Sequence, residues 1–92
     1  MKFDFSKGKN DILFKQRGIT FYKVIETIAE NGILLNFDNP NKDKYPNQKI
    51  FVVEIDKYTY CVSYEIKGDT WFLKTIYPSR KFKYLVEGGN DE

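Results

Sequence analysis

The sequence predicts a single α+β domain in which two N-terminal helices pack on an antiparallel sheet of about four strands. Three observations favour this class: two helix-spaced segments before residue 32, alternating apolar residues from Lys49 onward, and turn residues between the alternating segments. With 92 residues, the chain is long enough for one hydrophobic core but not for two. We therefore treat residues 1–85 as one domain and 86–92 as an acidic, frayed tail.

Both predicted helices have start and stop residues of the usual kind. Ser6 suits the N-cap of a first helix of about ten residues that ends at Gly18. Thr20 caps the second helix, and Asn31-Gly32 ends it. Four apolar residues of the second helix recur at the spacing of one helix face: Phe21, Val24, Ile25 and Ile28. We expect this face to lie on the core.

The remaining residues alternate between strand and turn patterns. A short strand is predicted over Ile33–Phe37, followed by a polar loop over 38–47 that contains two prolines. From Lys49 a long strand alternates in polarity, and Asp56-Lys57 joins it to a second long strand. The second long strand is expected to direct five side chains toward the helices: Tyr58, Tyr60, Val62, Tyr64 and Ile66.

The third long strand, 70–77, follows the turn Lys67-Gly68-Asp69, and two registers are open to it. A three-residue connection directs these side chains inward: Phe72, Lys74 and Ile76. A one-residue bulge instead directs another set inward: Trp71, Leu73, Thr75 and Tyr77. We favour the bulged register, because a buried and unpaired Lys74 ammonium group is costly.

The chain has no histidine, and Cys61 is its single cysteine. Ser-His and Cys-His catalysis, His/Cys zinc sites and internal disulfides are therefore excluded. The longest apolar runs, such as Ile50-Phe51-Val52-Val53, are far shorter than the roughly 20 residues of a membrane span, and the first residues lack an apolar signal core. We expect a cytoplasmic protein without a membrane partner.

Basic residues fall in two zones, although the net charge is only +2. Residues 2–23 carry six basic and two acidic groups, and residues 74–84 carry four basic groups and no acid. If the zones meet in the fold, they can attract a phosphate backbone, which binds chiefly by charge; a solvated basic surface is the alternative. The 38–47 loop has the same two interpretations, because Lys42 and Lys44 can contact phosphate or only water.

Several short motifs occur in a particular order: Phe3-Asp4-Phe5-Ser6, Lys9-Asn10, Arg17-Gly18-Ile19-Thr20-Phe21 and Ile76-Tyr77-Pro78-Ser79-Arg80-Lys81. In their order and spacing, over residues 3–84, they resemble the BrnT-like toxins of type II toxin-antitoxin pairs. The resemblance implies a compact RelE-like fold and a metal-independent ribonuclease that needs no cofactor. It also implies a cognate antitoxin as the protein partner, RNA substrates that include ribosome-associated mRNA, and contact with operator DNA only through the antitoxin.

Metal-independent RNA cleavage requires deprotonation of the 2′-hydroxyl, stabilisation of the phosphorane charge and protonation of the leaving oxygen. Arg80 matches the terminal motif of the family and is assigned as a phosphate clamp. Lys74 or Lys49 is expected to act as the base, if neighbouring cations lower its pKa, or as an electrostatic stabiliser. Tyr77 or Tyr45 is expected to donate a proton or to stack on a base. The residues expected at the RNA surface are Lys42, Lys44, Tyr45, Lys81 and Lys83.

Other assignments stay open at the level of sequence. Glu54 and Glu65 are alternative bases if they lie on an open face of the sheet. A catalytically inactive RelE-like module that binds an antitoxin-like partner or RNA is the second functional hypothesis. A structural protein that associates through an exposed sheet edge is the third.

Overall fold

A computed structural model describes residues 2–87, in which five strands form one sheet of order β1-β5-β4-β3-β2. Strand β1 runs parallel to β5, and the other neighbouring strands are antiparallel. The elements are β1 (Lys2–Phe5), α1 (Lys7–Arg17), α2 (Phe21–Asn31), β2 (Leu35–Asp38), β3 (Gln48–Ile55), β4 (Tyr58–Lys67), β5 (Thr70–Pro78), a 3₁₀ turn (Arg80–Phe82) and α3 (Tyr84–Glu87). The α+β class predicted from the sequence is confirmed.

The predicted sheet of about four antiparallel strands is wrong in number and in direction, because residues 2–5, to which no element was assigned from the sequence, form a further strand. Strand β1 pairs in parallel with the first half of β5 and makes the sheet mixed. Its two aromatic side chains pack on the core: Phe3 meets Trp71 edge to face with ring centroids 6.0 Å apart, and Phe5 lies 5.0 Å from Phe21. Four residues with a single polarity alternation are too few to identify a strand before its partner is known.

The C-terminal end also differs from the expectation. A third helix, α3, follows the 3₁₀ turn. The predicted tail, residues 86–92, begins inside α3, and residues 88–92 lie outside the described residues. The longest helices, α1 and α2, have eleven residues each, and within residues 2–87 none has the length and apolar composition that a membrane span requires.

The predicted helix caps are confirmed. The hydroxyl of Ser6 accepts a hydrogen bond from the backbone N–H of Lys9 at 3.2 Å, and that of Thr20 accepts one from Lys23 at 3.2 Å. Helix α1 ends at Gly18, which has a φ of +69° that other residues adopt only with strain. The two helices therefore begin and end where the local sequence specifies.

A buried side chain joins the two helices. The Asn10 side-chain oxygen accepts a hydrogen bond of 2.7 Å from the backbone N–H of Phe21, at the first residue of α2. That N–H has no partner within its own helix. Asn10 in α1 thus orients the start of α2.

The main core lies between the helices and one face of the sheet, as the strand alternation predicts. Tyr64 and Trp71 stack at 4.2 Å between ring centroids, and Tyr64 donates a 2.7 Å hydrogen bond from its hydroxyl to the Asn36 side-chain oxygen. The buried residues of this cluster are Leu13, Ile19, Phe21, Val24, Phe51, Val53, Ile55, Val62, Tyr64, Leu73 and Ile76. Strands β3, β4 and β5 supply the sheet side of this core.

The other face of the sheet is covered at one end by the segment 80–87, which we call the C-terminal segment. Phe82, in its 3₁₀ turn, is 9% exposed and packs with the buried residues Ile50, Val52 and Cys61. Phe37 contributes a ring 5.7 Å from that of Phe82. The sheet therefore has two apolar clusters, one on each side, which the sequence pattern did not predict.

Strand β5 follows neither of the two predicted registers throughout. Its first half is in the bulged register, with Leu73 opposite Tyr64 and buried in the main core. Next, Thr75 lies opposite Ser63, so Lys74 is an extra residue between consecutive pairs. After this bulge Ile76 is buried in the main core, and Tyr77 packs in the second cluster on the opposite face. The predicted inward orientation is correct for Trp71 and Leu73 and wrong for Thr75 and Tyr77.

Replacing Asn10 with Ala should lower the free energy of unfolding by about 1–3 kcal/mol, because the buried N–H of Phe21 loses its acceptor. Urea denaturation measures this difference. Asn47→Ala, at an exposed loop asparagine, is the matched control and should change stability by no more than about 0.5 kcal/mol. Equal losses for the two variants would contradict the role given to Asn10.

Candidate functional site

A cleft of about 490 Å³ opens on the sheet face that carries the second apolar cluster. Its floor consists of strand residues, and one wall is the loop between β2 and β3. The lining residues are Lys9, Asn39, Pro40, Tyr45, Gln48, Ile50, Ser63, Lys74, Thr75 and Tyr77. We refer to this set as the cleft.

Two lysines bring positive charge to the cleft. Lys9 lies in the first turn of α1, which the Ser6 cap holds in place, and Lys74 is the bulge residue of β5. Within the described residues neither ammonium group forms a salt bridge, and no carboxylate lines the cleft. An anion that enters therefore meets two cations whose charge is not already compensated.

Tyr77 contributes a phenol that stays neutral. Partial burial, together with the neighbouring Cys61 thiol on the adjacent strand, raises the pKa of Tyr77 to about 12. Burial likewise raises the pKa of the Cys61 thiol. At physiological pH the Tyr77 hydroxyl is therefore a hydrogen-bond donor on the cleft floor.

Lys49 does not line the cleft. It lies between Gln48 and Ile50 on β3, and successive side chains of a strand point to opposite faces, so its side chain leaves on the helix side. There its Nζ lies 2.8 Å from the Asp38 carboxylate, which also binds Lys42 Nζ at 3.2 Å. These two hydrogen bonds lower the pKa of Asp38, and the bond that Lys49 donates to Asp38 raises the pKa of Lys49. Neighbouring cations were expected to lower the pKa of Lys49 and make it a base. Its partner is instead the Asp38 carboxylate, with which it forms an ion pair.

The predicted basic residues near the C-terminus lie on a different part of the surface. Arg80 is exposed at the start of the 3₁₀ turn, and neither it nor Lys81 lines the cleft. The Nζ of Lys81 lies 5.5 Å from the ring centroid of Phe82, and that of Lys83 lies 5.3 Å from the ring centroid of Tyr58. The structure therefore does not bring Arg80 together with Lys74.

Some of the remaining predicted residues line the cleft and others do not. Tyr45 lines the cleft, and Lys44 Nζ lies 5.4 Å from its ring centroid. Glu54 and Glu65 are outside the cleft, since they pair with Thr59 and Phe72 at opposite ends of β4. Of the predicted catalytic residues, only Lys74 and Tyr77 meet in one place.

Seven of the ten cleft residues were assigned no functional role from the sequence: Lys9, Asn39, Pro40, Gln48, Ile50, Ser63 and Thr75. The sequence feature that could have pointed to Lys9 is its place in Lys9-Asn10, one of the short motifs that occur in a particular order along the chain. Nothing local to residue 9 indicates that the first turn of α1 reaches the bulge of β5, because that approach depends on where β1 pairs.

The cleft offers ammonium groups for an anion, hydroxyls for hydrogen bonds and tyrosine rings for contact with a flat ligand. Among the described residues no group of three or more His, Cys, Asp or Glu side chains is placed to hold a metal ion. Comparisons of the chain with protein-family models, with curated proteins and with solved structures found no match.

The pKa of Tyr77 predicts a specific alkaline loss of stability. The unfolded chain releases tyrosine protons near pH 10, whereas the folded protein holds that of Tyr77 to about pH 12. The contribution of Tyr77 is therefore fully present below about pH 10 and is lost as the pH rises through about 12. Tyr77→Phe should lose less stability than the parent over this interval, as measured by urea denaturation at several pH values. Parallel stability curves for the two proteins would contradict the raised pKa.

Proposed function

We propose that the chain is a RelE-like, BrnT-like ribonuclease toxin of a type II toxin-antitoxin pair, which binds RNA in the cleft and is neutralised by a cognate antitoxin. The observation that carries the proposal is the meeting of Lys9 and Lys74, free of acidic partners within the described residues, with Tyr45 and Tyr77 in one cleft. Cations match the phosphodiester, and tyrosine rings match the bases. The order of motifs along the chain supports the same proposal.

The remaining expectations from the resemblance belong to this proposal. The protein acts in the cytoplasm on RNA that includes ribosome-associated mRNA, and it reaches operator DNA only through its antitoxin. No metal or cofactor takes part in the chemistry.

In the proposed reaction, the 2′-oxygen of the RNA attacks the adjacent phosphorus while the phosphate lies between Lys9 and Lys74. The two ammonium groups stabilise the negative charge that develops on the phosphorane oxygens. Tyr77 holds its proton until the P–O5′ bond breaks and charge develops on the leaving 5′-oxygen, donates it there, and regains a proton from water. Since the described residues place no carboxylate at the cleft and the chain has no histidine, the 2′-hydroxyl proton passes to hydroxide or water. The cleavage rate is therefore expected to be modest and to rise with pH.

One observation favours the second candidate, a binding module without catalytic activity. Lys49, the other predicted base, is ion-paired to Asp38 and points away from the cleft. Binding of RNA or of an antitoxin-like partner needs the cations and rings of the cleft but no base. Expression in cells separates the two candidates, because only a ribonuclease toxin arrests growth and degrades transcripts when its antitoxin is absent.

Lys74→Ala and Lys9→Ala should each weaken binding of single-stranded RNA and reduce the slope of log K against log salt concentration by about 0.7, as expected for one lost phosphate contact. Fluorescence anisotropy at several salt concentrations measures both effects. Lys57→Ala, at the exposed turn between β3 and β4, is the matched control and should change neither. If all three variants bind like the parent, the cleft is not the RNA site.

Arg80→Ala and Tyr77→Phe should separate binding from chemistry. Arg80 lies outside the cleft, so in this proposal it contacts phosphate along the strand, and its loss should weaken binding while the cleavage rate of bound RNA is kept. Tyr77→Phe should retain binding and lower the single-turnover cleavage rate by about 10²-fold or more, since the proton donor is lost. The reverse pattern would return the catalytic role to Arg80.

A further inference from the structure

One aromatic side chain of β5, Phe72, belongs to neither apolar cluster. It lies between Trp71 and Leu73, which face the main core, so its ring is on the opposite face of the sheet. The ring is half-buried at the end of this face that the C-terminal segment does not cover. A phenylalanine in this position contributes little to either core.

Two lysine ammonium groups flank this ring. Lys67 Nζ lies 4.5 Å from the ring centroid, and Lys74 Nζ lies 5.2 Å from it. Lys74 also lines the cleft, so the ring of Phe72 is adjacent to the proposed site for the scissile phosphate. We call Phe72, Lys67 and Lys74 the platform.

Carboxylates flank the ring across the strands. Asp4 on β1 and Glu65 on β4 are the register partners of Phe72 on its two sides. Their negative charge disfavours a phosphate directly above the ring, whereas it does not oppose a neutral base there. The ammonium groups of Lys67 and Lys74, in contrast, attract phosphates. Charge therefore divides the platform into a place for a base and places for the backbone beside it.

We infer that the platform binds one unpaired base of a single-stranded RNA, which stacks on Phe72 while Lys67 and Lys74 contact the phosphates beside it. The inference rests on the proposed function, because it extends the strand that occupies the cleft by one nucleotide. It narrows the substrate class to single strands, since the bases of a duplex are stacked on one another and cannot lie flat on a protein ring.

When a base stacks on Phe72, the side chains of Lys67 and Lys74 must leave the ring. We expect this replacement of the two cations by a base to be favourable. A cation over an exposed ring is held more weakly than a base that stacks on it. Each displaced ammonium group then meets a phosphate. Both lysine side chains are flexible, and within the described residues neither forms a salt bridge that would have to break.

The test uses a single-stranded 2′-O-methyl oligonucleotide of about eight residues that contains one 2-aminopurine, so that binding is measured without cleavage. Stacking of the fluorescent base on Phe72 should quench it. Phe72→Leu should weaken binding about tenfold and abolish the quenching, whereas Phe72→Tyr keeps the ring and should retain both. Phe14→Leu, at an exposed aromatic on α1, is the matched control. Thermal denaturation checks that each variant is folded.

Lys67→Ala separates the base contact from the phosphate contact. This variant should reduce the slope of log K against log salt concentration by about 0.7, while the fluorescence of the bound 2-aminopurine stays quenched. Unchanged affinity and quenching in Phe72→Leu would overturn the inference, as would equal affinity of the parent for a duplex of the same sequence.

The outcome also distinguishes this inference from the proposed ribonuclease. If binding depends on Phe72 but cleavable RNA remains intact, the platform stands and the ribonuclease activity is refuted. If RNA is cleaved in a manner that depends on Lys74 but not on Phe72, the ribonuclease stands and the platform is refuted.

Discussion

At Lys74, strand β5 has one residue more than the strand beside it, and the arrangement of both faces of the sheet depends on that bulge. A regular strand would place Leu73 and Ile76 on opposite faces, whereas the bulge allows both to be buried in the main core. The same irregularity brings Lys74 to the cleft and turns Tyr77 toward Cys61. A packing requirement of the core thereby places a cation and a phenol beside each other on the opposite face.

The charge at each part of the surface depends on ion pairing as well as on the positions of the basic residues in the sequence. Asp38 binds both Lys42 and Lys49, which compensates two of the basic side chains near β3. Lys9 and Lys74 have no such carboxylate among the described residues, although their local sequences are no more basic. The net charge of +2 therefore does not reveal that Asp38 compensates Lys42 and Lys49, whereas Lys9 and Lys74 at the cleft form no salt bridge among the described residues.

The C-terminal segment decides how much of the second face is open. Phe82 covers the apolar end formed by Ile50, Val52 and Cys61, and the polar end with Lys67, Phe72 and Lys74 stays accessible. Arg80 belongs to this segment and does not line the cleft. The position of Arg80 is thus set by tertiary packing, and Lys74 at the bulge lines the cleft instead.

Sequence patterns alone predict the two capped helices, the inward face of α2 and the alternation of β3 and β4, and they include Lys74 and Tyr77, which line the cleft, among the candidate site residues. These features depend on interactions within a few residues, such as the Ser6 and Thr20 caps, or on a polarity pattern that burial of one face enforces. Tertiary contacts, in contrast, set the pairing of β1, the position of the bulge, the approach of Lys9 to the cleft and the pairing of Lys49 with Asp38. Each joins residues far apart in the chain, and its free energy comes from non-local burial and pairing that no local pattern contains.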